Sequence, residues 1–320
     1  MQIMSTIIEI QGLTKQYGEL TALNDLNLTL EAGDVFGFIG PNGAGKTTTM
    51  RILTTLLKPT SGKAWIAGHS VTDDPRSVRR AIGYMPDFFG VYDDMKVWEY
   101  LDFFGACYDI PPATRTGMID DLLALVDLGH KKEAYVETLS RGMKQRLCLA
   151  RTLTHDPQIL ILDEPASGLD PRARIEMREL LRELKNMGKT IFFSSHILSE
   201  VADICTSIGI IEAGRLITHG DMAEMKRQLR AHRLIQMRVM GEIAPLQAFL
   251  LGRDDIHNIT THSEADLPPD TVRVDFGGDD AGLSRLLADV VAQGIPLLGF
   301  HEETGDLEDV FLHVTQGIIN

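Results

Sequence analysis

The chain has 320 residues, a formal net charge of −14 at pH 7 and 44% hydrophobic residues, which is enough chain to bury the cores of two domains. The negative charge argues against non-specific binding to nucleic acid. No apolar run approaches the roughly 18 residues that a membrane span needs, and the first residues lack the basic and apolar regions of a secretion signal. The three cysteines are far apart, so we expect reduced thiols in a cytosolic protein rather than a metal site.

The first 220 residues alternate short apolar runs with longer helical patterns, which is typical of a parallel α/β sheet. Uninterrupted apolar runs predict buried central strands, and a run divided at Gly214 predicts a hairpin-like edge. Between about residues 95 and 155 the pattern is mostly helical, and we assign a helical subdomain to about 88–156. The predicted strands are 34–40, 158–165 and 190–196, and the predicted hairpin is 207–217.

The pattern changes after about residue 220, where a basic helical segment is followed by elements in the order β-α-β-β-α-β. This order is the ferredoxin-like arrangement. We therefore predict a first, α/β domain over 1–225 and a small α+β domain over 226–320. Its predicted strands are 234–240, 256–262, 271–277 and 296–303, its predicted helices are 244–251 and 280–293, and a last helix places Leu307, Val310, Phe311 and Val314 on one face.

A glycine-rich segment, "GPNGAGKTT", lies between a predicted strand and a predicted helix and fits the G-x-x-x-x-G-K-[ST] pattern. Its glycines allow backbone N–H groups to face a β-phosphate, and the helix N-terminus adds a positive dipole. Lys46 would bridge the β- and γ-phosphates, and Thr47 would bind Mg²⁺. The nucleotide-binding residues of this segment are Gly40, Pro41, Asn42, Gly43, Ala44, Gly45, Lys46, Thr47 and Thr48.

Two acids follow the apolar run "ILIL" and should emerge at the carboxyl end of a buried strand, where open α/β sheets bind ligands. Asp163 suits Mg²⁺, bound directly or through water. Glu164 suits polarisation of an attacking water. Together with the phosphate loop, the pair predicts a site for phosphoryl transfer.

Further segments occur in the order found in one known family. They are "KQYGELTALNDLNLTLEAGD" before the phosphate loop, "LSRGMKQRL" at 139–147, "DEPASGLDP" at 163–171 and "SSHILSE" at 194–200. Over about residues 6–225 the chain resembles the ATP-binding subunit of an ABC transporter, of the exporter type with a separate permease, similar to multidrug and polysaccharide exporter cassettes. The resemblance implies a P-loop NTPase fold, ATP and Mg²⁺ as cofactors, and ATP hydrolysis coupled to transport.

The resemblance also implies roles for single residues. Tyr17 would stack on adenine, and His196 would bind the γ-phosphate and orient the attacking water. Ser140 and Gly142 would contact the γ-phosphate bound to a second copy of the chain, and Asp170 would reach across the interface between the two copies. Two copies would then pack head-to-tail around a two-fold axis and enclose two ATP molecules. Taken alone, Tyr17 and His196 are also compatible with packing roles, and Ser140 with a helix N-cap.

The signature segment and Asp87 both depart from the family's pattern. Arg141 and Met143 stand where the signature has a glycine and a glutamine. Asp87 stands where the family has a glutamine that contacts Mg²⁺ and the attacking water. An ionised aspartate is shorter and only accepts hydrogen bonds. Two interpretations follow: Asp87 senses Mg²⁺ through a water, or Pro86 and Asp87 form a turn without a metal role.

The stretch "GYMPDFFGVYD" places apolar side chains in a loop-like context, where polar residues are usual. In the resembled family the corresponding loop contacts the membrane subunit, which implies a groove for a cytoplasmic helix of the permease. Alternatively, these side chains pack the core of the helical subdomain. The side chains concerned are Phe88, Phe89, Val91, Tyr92 and Trp98.

The sequence therefore predicts an ATP-hydrolysing subunit that drives export through a separate membrane permease, in the cytoplasm at the inner face of the cell membrane. Its expected partners are the permease and a second copy of the chain, without nucleic acid and with membrane contact only through the permease. Two alternatives are a soluble ABC ATPase acting on ribosomes or DNA and a nucleotide-binding regulator without turnover. The single cassette and the acidic balance count against the first. The second is disfavoured by the intact Lys46, Asp163, Glu164 and His196.

Overall fold

The computed structural model describes residues 6–88, 90, 92–197, 204–222, 233–262 and 267–303. They form two compact units, one within Met1–Met222 and the other within Ala223–His313. Among these described residues, no helix combines the length and the apolar character that a membrane crossing requires.

Two sheets and the helices around them make up the first unit. Its described strands are β1 (Thr6–Tyr17), β2 (Leu20–Glu31), β3 (Val35–Ile39), β4 (Ser61–Ile66), β5 (His69–Ser70), β6 (Ile82–Met85), β7 (Ile159–Leu162), β8 (Thr190–Ser195), β9 (Ser207–Glu212) and β10 (Arg215–Asp221). Its described α-helices are α1 (Lys46–Leu53), α2 (Pro75–Ala81), α3 (Val97–Cys107), α4 (Pro112–Leu125), α5 (Arg141–Thr152) and α6 (Pro171–Asn186).

The central sheet has the strand order β10-β9-β3-β8-β7-β6. All neighbouring pairs are parallel except β9 and β10, which form an antiparallel hairpin. Every residue of β3, β7 and β8 is buried, as expected for parallel strands covered on both faces. The sheet confirms the strands predicted from uninterrupted apolar runs, and it brings the carboxyl ends of β3, β7 and β8 to one edge.

A second sheet, with the order β2-β1-β4-β5, is antiparallel. Its apolar residues share one core with the central sheet, in which Ile8 and Leu26 belong to the same buried cluster as Phe36 and Phe192. The rings of Phe36 and Phe192 stack with centroids 5.3 Å apart. This shared core fixes the β1–β2 hairpin against the sheet that carries the phosphate loop.

The chain between β6 and β7 is helical, as predicted. The helices α3, α4 and α5 pack against one another, and two 3₁₀ segments, Gly129–Lys131 and Val136–Thr138, connect α4 to α5. Tyr100 and Leu101 of α3 are fully buried. In α5 the buried residues include Leu147 and Leu149.

The second unit consists of β11 (Arg233–Val239), α7 (Ala244–Leu251), β12 (Ile256–Thr260), β13 (Thr271–Phe276), α8 (Asp280–Ala292) and β14 (Leu297–Glu303). Its sheet is antiparallel, in the order β12-β13-β11-β14. This order and the β-α-β-β-α-β sequence confirm the predicted ferredoxin-like arrangement. The core contains Ile235, Met237, Phe276, Leu286 and Val290.

Some predicted features differ from the structure or lie outside it. The strand predicted over 158–165 is shorter, because the chain turns at Glu164, which has a positive φ of 50°. The division predicted between residues 225 and 226 falls outside the described residues and stays a prediction. The predicted last helix also lies outside them, as does most of the basic segment before β11.

Candidate functional site

The phosphate loop connects β3 to α1, and two of its positions leave no room for a side chain. A Cβ on Gly40 would lie 2.2 Å from the carbonyl oxygen of Ile211, and one on Gly45 would lie 2.7 Å from that of Ala22. Gly45 also has a φ of 109°. No side chain of the described residues caps α1, so its first N–H groups are available to an anion.

The turn between β9 and β10 supports the phosphate loop through a backbone hydrogen bond. Ala213 and Gly214 both have positive φ values, as a two-residue hairpin turn requires. The Gly214 N–H donates to the Ala44 carbonyl at 3.0 Å, and the Asn24 N–H donates to the Gly214 carbonyl at 2.8 Å. The loop is therefore held by strands distant from it in sequence.

Lys46 is the first residue of α1, and its side chain is only 6% exposed. Its Nζ donates to the carbonyl oxygens of Gly40 at 2.5 Å and Pro41 at 3.2 Å. The same Nζ lies 3.4 Å from Oε1 of Glu164. A buried ammonium requires such acceptors, and here they hold the lysine beneath the loop, beside the acid at the end of β7.

Asp163 is 1% exposed, and its two carboxylate oxygens differ in their surroundings. Oδ1 accepts a 2.7 Å hydrogen bond from Ser194 Oγ, whereas the buried Oδ2 has no hydrogen-bond partner among the described residues. Burial raises the pKa of the Asp163 carboxyl; the hydroxyls of Ser194 and Thr47 oppose this shift, and the charges of Asp87 and Glu164 add to it. An unpartnered carboxylate oxygen close to a hydroxyl is a donor set that suits a hard divalent cation such as Mg²⁺.

Glu164 adopts a left-handed backbone conformation, with a φ of 50°, which is uncommon for a residue with a side chain. Its Oε2 lies 2.8 Å from Nδ1 of His196. The Glu164 side chain is 12% exposed and the His196 side chain 41%. Lys46, Glu164 and His196 thus form one connected group, with the imidazole on the solvent side.

Asp87 follows β6 and is exposed. Its charge contributes to the raised pKa of Asp163 and, as a smaller cause after burial, to that of Tyr84, which rises to about 12. Asp87 is therefore close enough to the end of β7 to interact electrostatically with the proposed cation site.

The aromatic stretch after Asp87 is only partly described, since Phe89 and Val91 lie outside the described residues. Phe88 is 90% exposed and Tyr92 53%, whereas Trp98 is half-buried. The ring of Tyr92 packs edge-on against Phe103, with centroids 5.6 Å apart. Phe88 therefore does not belong to the core of the helical region, and Tyr92 lies at its surface.

A second group of predicted site residues lies around a separate cavity of about 530 Å³. Ser140 caps α5 by accepting the Met143 N–H at 3.3 Å, and Asp170 caps α6 by accepting the Ala173 N–H at 2.9 Å. Gly142 also lines this cavity, and no phosphate-loop residue does. Within one chain, these residues and the phosphate loop thus belong to different surfaces.

Tyr17 ends β1 and is 46% exposed. The Nζ of Lys15 lies 5.1 Å from the centroid of its ring. Tyr17 is thus exposed enough to serve as a stacking platform.

Sequence reasoning did not identify two residues that connect the site. Ser194 donates to Asp163 and accepts the Glu164 N–H at 2.9 Å, so one buried hydroxyl joins both acids. Gln145 of α5 donates through Nε2 to the Pro165 carbonyl at 2.5 Å, which ties the signature helix to the segment that follows Glu164. The only sequence signal was their position inside motifs quoted for other residues.

Known proteins resemble the chain over most of its length. The family described as ABC transporter matches residues 23–167. The bacitracin transport ATP-binding protein BcrA of Bacillus licheniformis is 37% identical over 98% of this chain and 99% of that protein. The Nod factor export ATP-binding protein I of Ralstonia nicotianae is 33% identical over 97% of this chain and 94% of that protein. A solved structure of the ATP-binding subunit of an ABC transporter covers 70% of this chain and 94% of its own, with 30% identity and a TM-score of 0.63.

Proposed function

Because the chain belongs to the family of ABC transporter ATP-binding subunits, whose cassettes bind and hydrolyse ATP, we propose that it drives export through a separate membrane permease. The observation that carries the proposal is the group formed by the phosphate loop, Lys46, Glu164 and His196. This group combines a phosphate-binding cradle with an acid and an imidazole, a combination that suits ATP hydrolysis.

In the proposed complex the β- and γ-phosphates lie between the N–H groups of the phosphate loop and the Lys46 ammonium. The uncapped N-terminus of α1 supports this placement, because its N–H groups and dipole attract anions. Tyr17 stacks on the adenine ring through its exposed face.

Glu164 polarises the attacking water in this proposal, and His196 orients that water and contacts the γ-phosphate. The 2.8 Å contact between them supports a shared role. Thr47, Asp163 and Asp87 would hold Mg²⁺, which when bound neutralises charge on the β- and γ-phosphates. The unpartnered Oδ2 of Asp163 supports this donor set.

We further propose that two copies of the chain assemble head-to-tail, so that Ser140, Gly142 and Asp170 of one copy face the ATP bound to the other. The separation of these residues from the phosphate loop within one chain supports this arrangement. The first turn of α5, which carries no acidic residue, provides N–H groups for a γ-phosphate, and the Ser140 hydroxyl both caps the helix and faces the cavity.

Replacing Asp87 with glutamine tests its metal role. Asp87→Gln removes one negative charge near Asp163. If the carboxylate assists Mg²⁺ binding, we expect the Mg²⁺ concentration for half-maximal ATPase activity to rise by roughly threefold to tenfold. The measurement is a Mg²⁺ titration at saturating ATP, with the exposed Asp94→Asn as the control. Unchanged Mg²⁺ dependence and turnover would show that Pro86 and Asp87 form only a turn.

The relatives support the export direction and the permease partner. BcrA is named for bacitracin transport and the Ralstonia protein for Nod factor export.

Aromatic rings pack against one another from Tyr92 through Tyr100 to Phe104. Phe104 lines a cavity of about 400 Å³ together with Arg79 and Arg151. We propose that a cytoplasmic helix of the permease docks on the exposed Phe88 and Tyr92 as well as on this cavity, and holds the chain at the inner face of the cell membrane.

Co-purification with the product of a neighbouring gene that encodes about six apolar spans tests the proposal. We expect Phe88→Asp to reduce recovery of the permease at least tenfold, because it places a charge on a surface that docking would desolvate. Since Phe88 is 90% exposed, the thermal unfolding temperature should be unchanged. The control is Leu251→Asp, at a 76% exposed position of the second unit. A wild-type chain that binds ATP but never hydrolyses it, even with the permease, would favour a regulator instead.

A further inference from the structure

Arg141 is the first residue of α5 and one of the two positions where the signature segment departs from the resembled pattern. Its Nη2 donates to the Ser167 carbonyl at 3.3 Å. No carboxylate of the described chain forms a salt bridge with Arg141, so this guanidinium is directed at backbone rather than at an acid. The contact joins the signature segment to the loop between Glu164 and α6.

The guanidinium also covers the next residue of that loop. A Cβ on Gly168 would lie 2.3 Å from Nη2 of Arg141 and 2.4 Å from its Cζ. Gly168 has a φ of 66°, which already disfavours other residues. The absent side chain at Gly168 therefore makes the space in which the arginine lies.

A second close approach joins the same two segments. A Cβ on Gly142 would lie 3.1 Å from the Cβ of Ala173, so the first turn of α5 packs tightly on the first turn of α6. Ser140 and Asp170, which cap these two helices, are thereby held around one cavity. Arg141 fixes the loop that leads into Asp170, and the glycine–alanine contact fixes the helices.

We infer that Arg141 is a positioning residue, which holds the loop at Ser167 and Gly168 so that Ser140, Gly142 and Asp170 present one surface to the ATP of a second copy. This inference rests on the proposed function. In this role Arg141 does not contact the ATP that is bound to the phosphate loop of its own chain. Loss of the arginine should therefore slow turnover and leave the first encounter with nucleotide intact.

The expected result for Arg141→Ala is a roughly tenfold lower kcat with the KM for ATP changed less than twofold, as for the loss of one charge-assisted hydrogen bond. Arg141→Lys should recover only part of the loss, because an ammonium can bond Ser167 but cannot cover Gly168 as a planar guanidinium does. If Arg141→Ala leaves kcat unchanged, or raises KM and lowers kcat in proportion, the positioning role is wrong.

A double-mutant cycle with Gly168→Ala tests the contact itself. In the wild-type background the new methyl group collides with the guanidinium, whereas in the Arg141→Ala background only the backbone strain remains. We therefore expect the double variant to lose less kcat than the product of the two single losses. The matched control is Gly188→Ala, where φ is 81° and no atom lies within 4 Å of the added Cβ; its effect should multiply with that of Arg141→Ala.

Thermal unfolding of the same full-length variants separates this inference from the proposed function. Non-additive unfolding temperatures for Arg141→Ala and Gly168→Ala would support the contact whether or not ATP is hydrolysed, and non-additive kcat values would support positioning. Independent effects on kcat would overturn the inference. A wild-type chain without ATPase activity would instead contradict the proposed function.

Discussion

Replacing Glu164 with glutamine should lower kcat for ATP hydrolysis by about 10²–10⁴-fold while ATP remains bound, which is the range for removal of a general base. Glutamine keeps the size of the side chain but loses the charge that faces His196 and Lys46. The Oε1 of Glu164 lies 3.4 Å from the Lys46 ammonium, so the substitution also removes the carboxylate neighbour of a buried cation. That ammonium is then free to interact more strongly with phosphate, which favours retention of ATP.

Two assays check this expectation: steady-state phosphate release, and retention of labelled ATP after rapid gel filtration. Glu179→Gln provides a matched control on α6, because Glu179 is 61% exposed and forms a surface ion pair with the neighbouring Arg182. We expect that control to change kcat by less than twofold. Loss of ATP binding in Glu164→Gln, or a kcat close to that of the wild type, would contradict the assigned role.

Replacing Asp163 with asparagine should abolish Mg²⁺-dependent hydrolysis, with a loss of at least about 10²-fold, and yet stabilise the nucleotide-free chain. Burial raises the pKa of this carboxyl, so its ionisation opposes folding. Because the folded pKa lies above the unfolded one, the folded state binds the proton more tightly. The ionised Asp163 carboxylate therefore destabilises the folded state. This destabilisation is absent at a pH below the unfolded pKa and fully present once the pH has risen through the folded pKa.

The expected stabilisation is a rise in Tm. It is measured by thermal unfolding in the presence of a chelator at neutral pH, and the difference from the wild type should shrink as the pH falls. Asp121→Asn on α4 is the control, because Asp121 is exposed. A lower Tm for Asp163→Asn at neutral pH would show that the Ser194 hydrogen bond outweighs the burial of charge.

The fold could be predicted where local pattern and burial agree. The sequence runs that form β3, β7 and β8 are apolar because parallel strands are covered on both faces. The predicted helices 244–251 and 280–293 agree closely with the bounds of α7 and α8. The prediction ended β7 at residue 165, whereas the strand ends at Leu162. The residues "LDEP" do not indicate that Glu164 takes a positive φ. That conformation is imposed by the surroundings of the site rather than by residue preference.

The candidate site could be predicted for residues that belong to a motif, and not for residues that connect motifs. Lys46, Asp163, Glu164 and His196 could be chosen by type and position. The bonds of Ser194 to both acids could not, because a serine in a strand has many possible partners. The contact of Arg141 with Gly168 depends on the start of α5 meeting the loop before α6, and only the structure shows that a glycine makes room for an arginine.

The hydrogen bond from Gly214 to Ala44 has a consequence for the order in which the protein matures. The phosphate loop leaves the ribosome early, but the turn that supports it is synthesised only after the acids and His196. Domains fold as units during synthesis, so we expect a nascent chain that ends before β9 to carry an intact motif without a rigid cradle. We then expect nucleotide binding to begin only when β9, β10 and the turn between them have been synthesised.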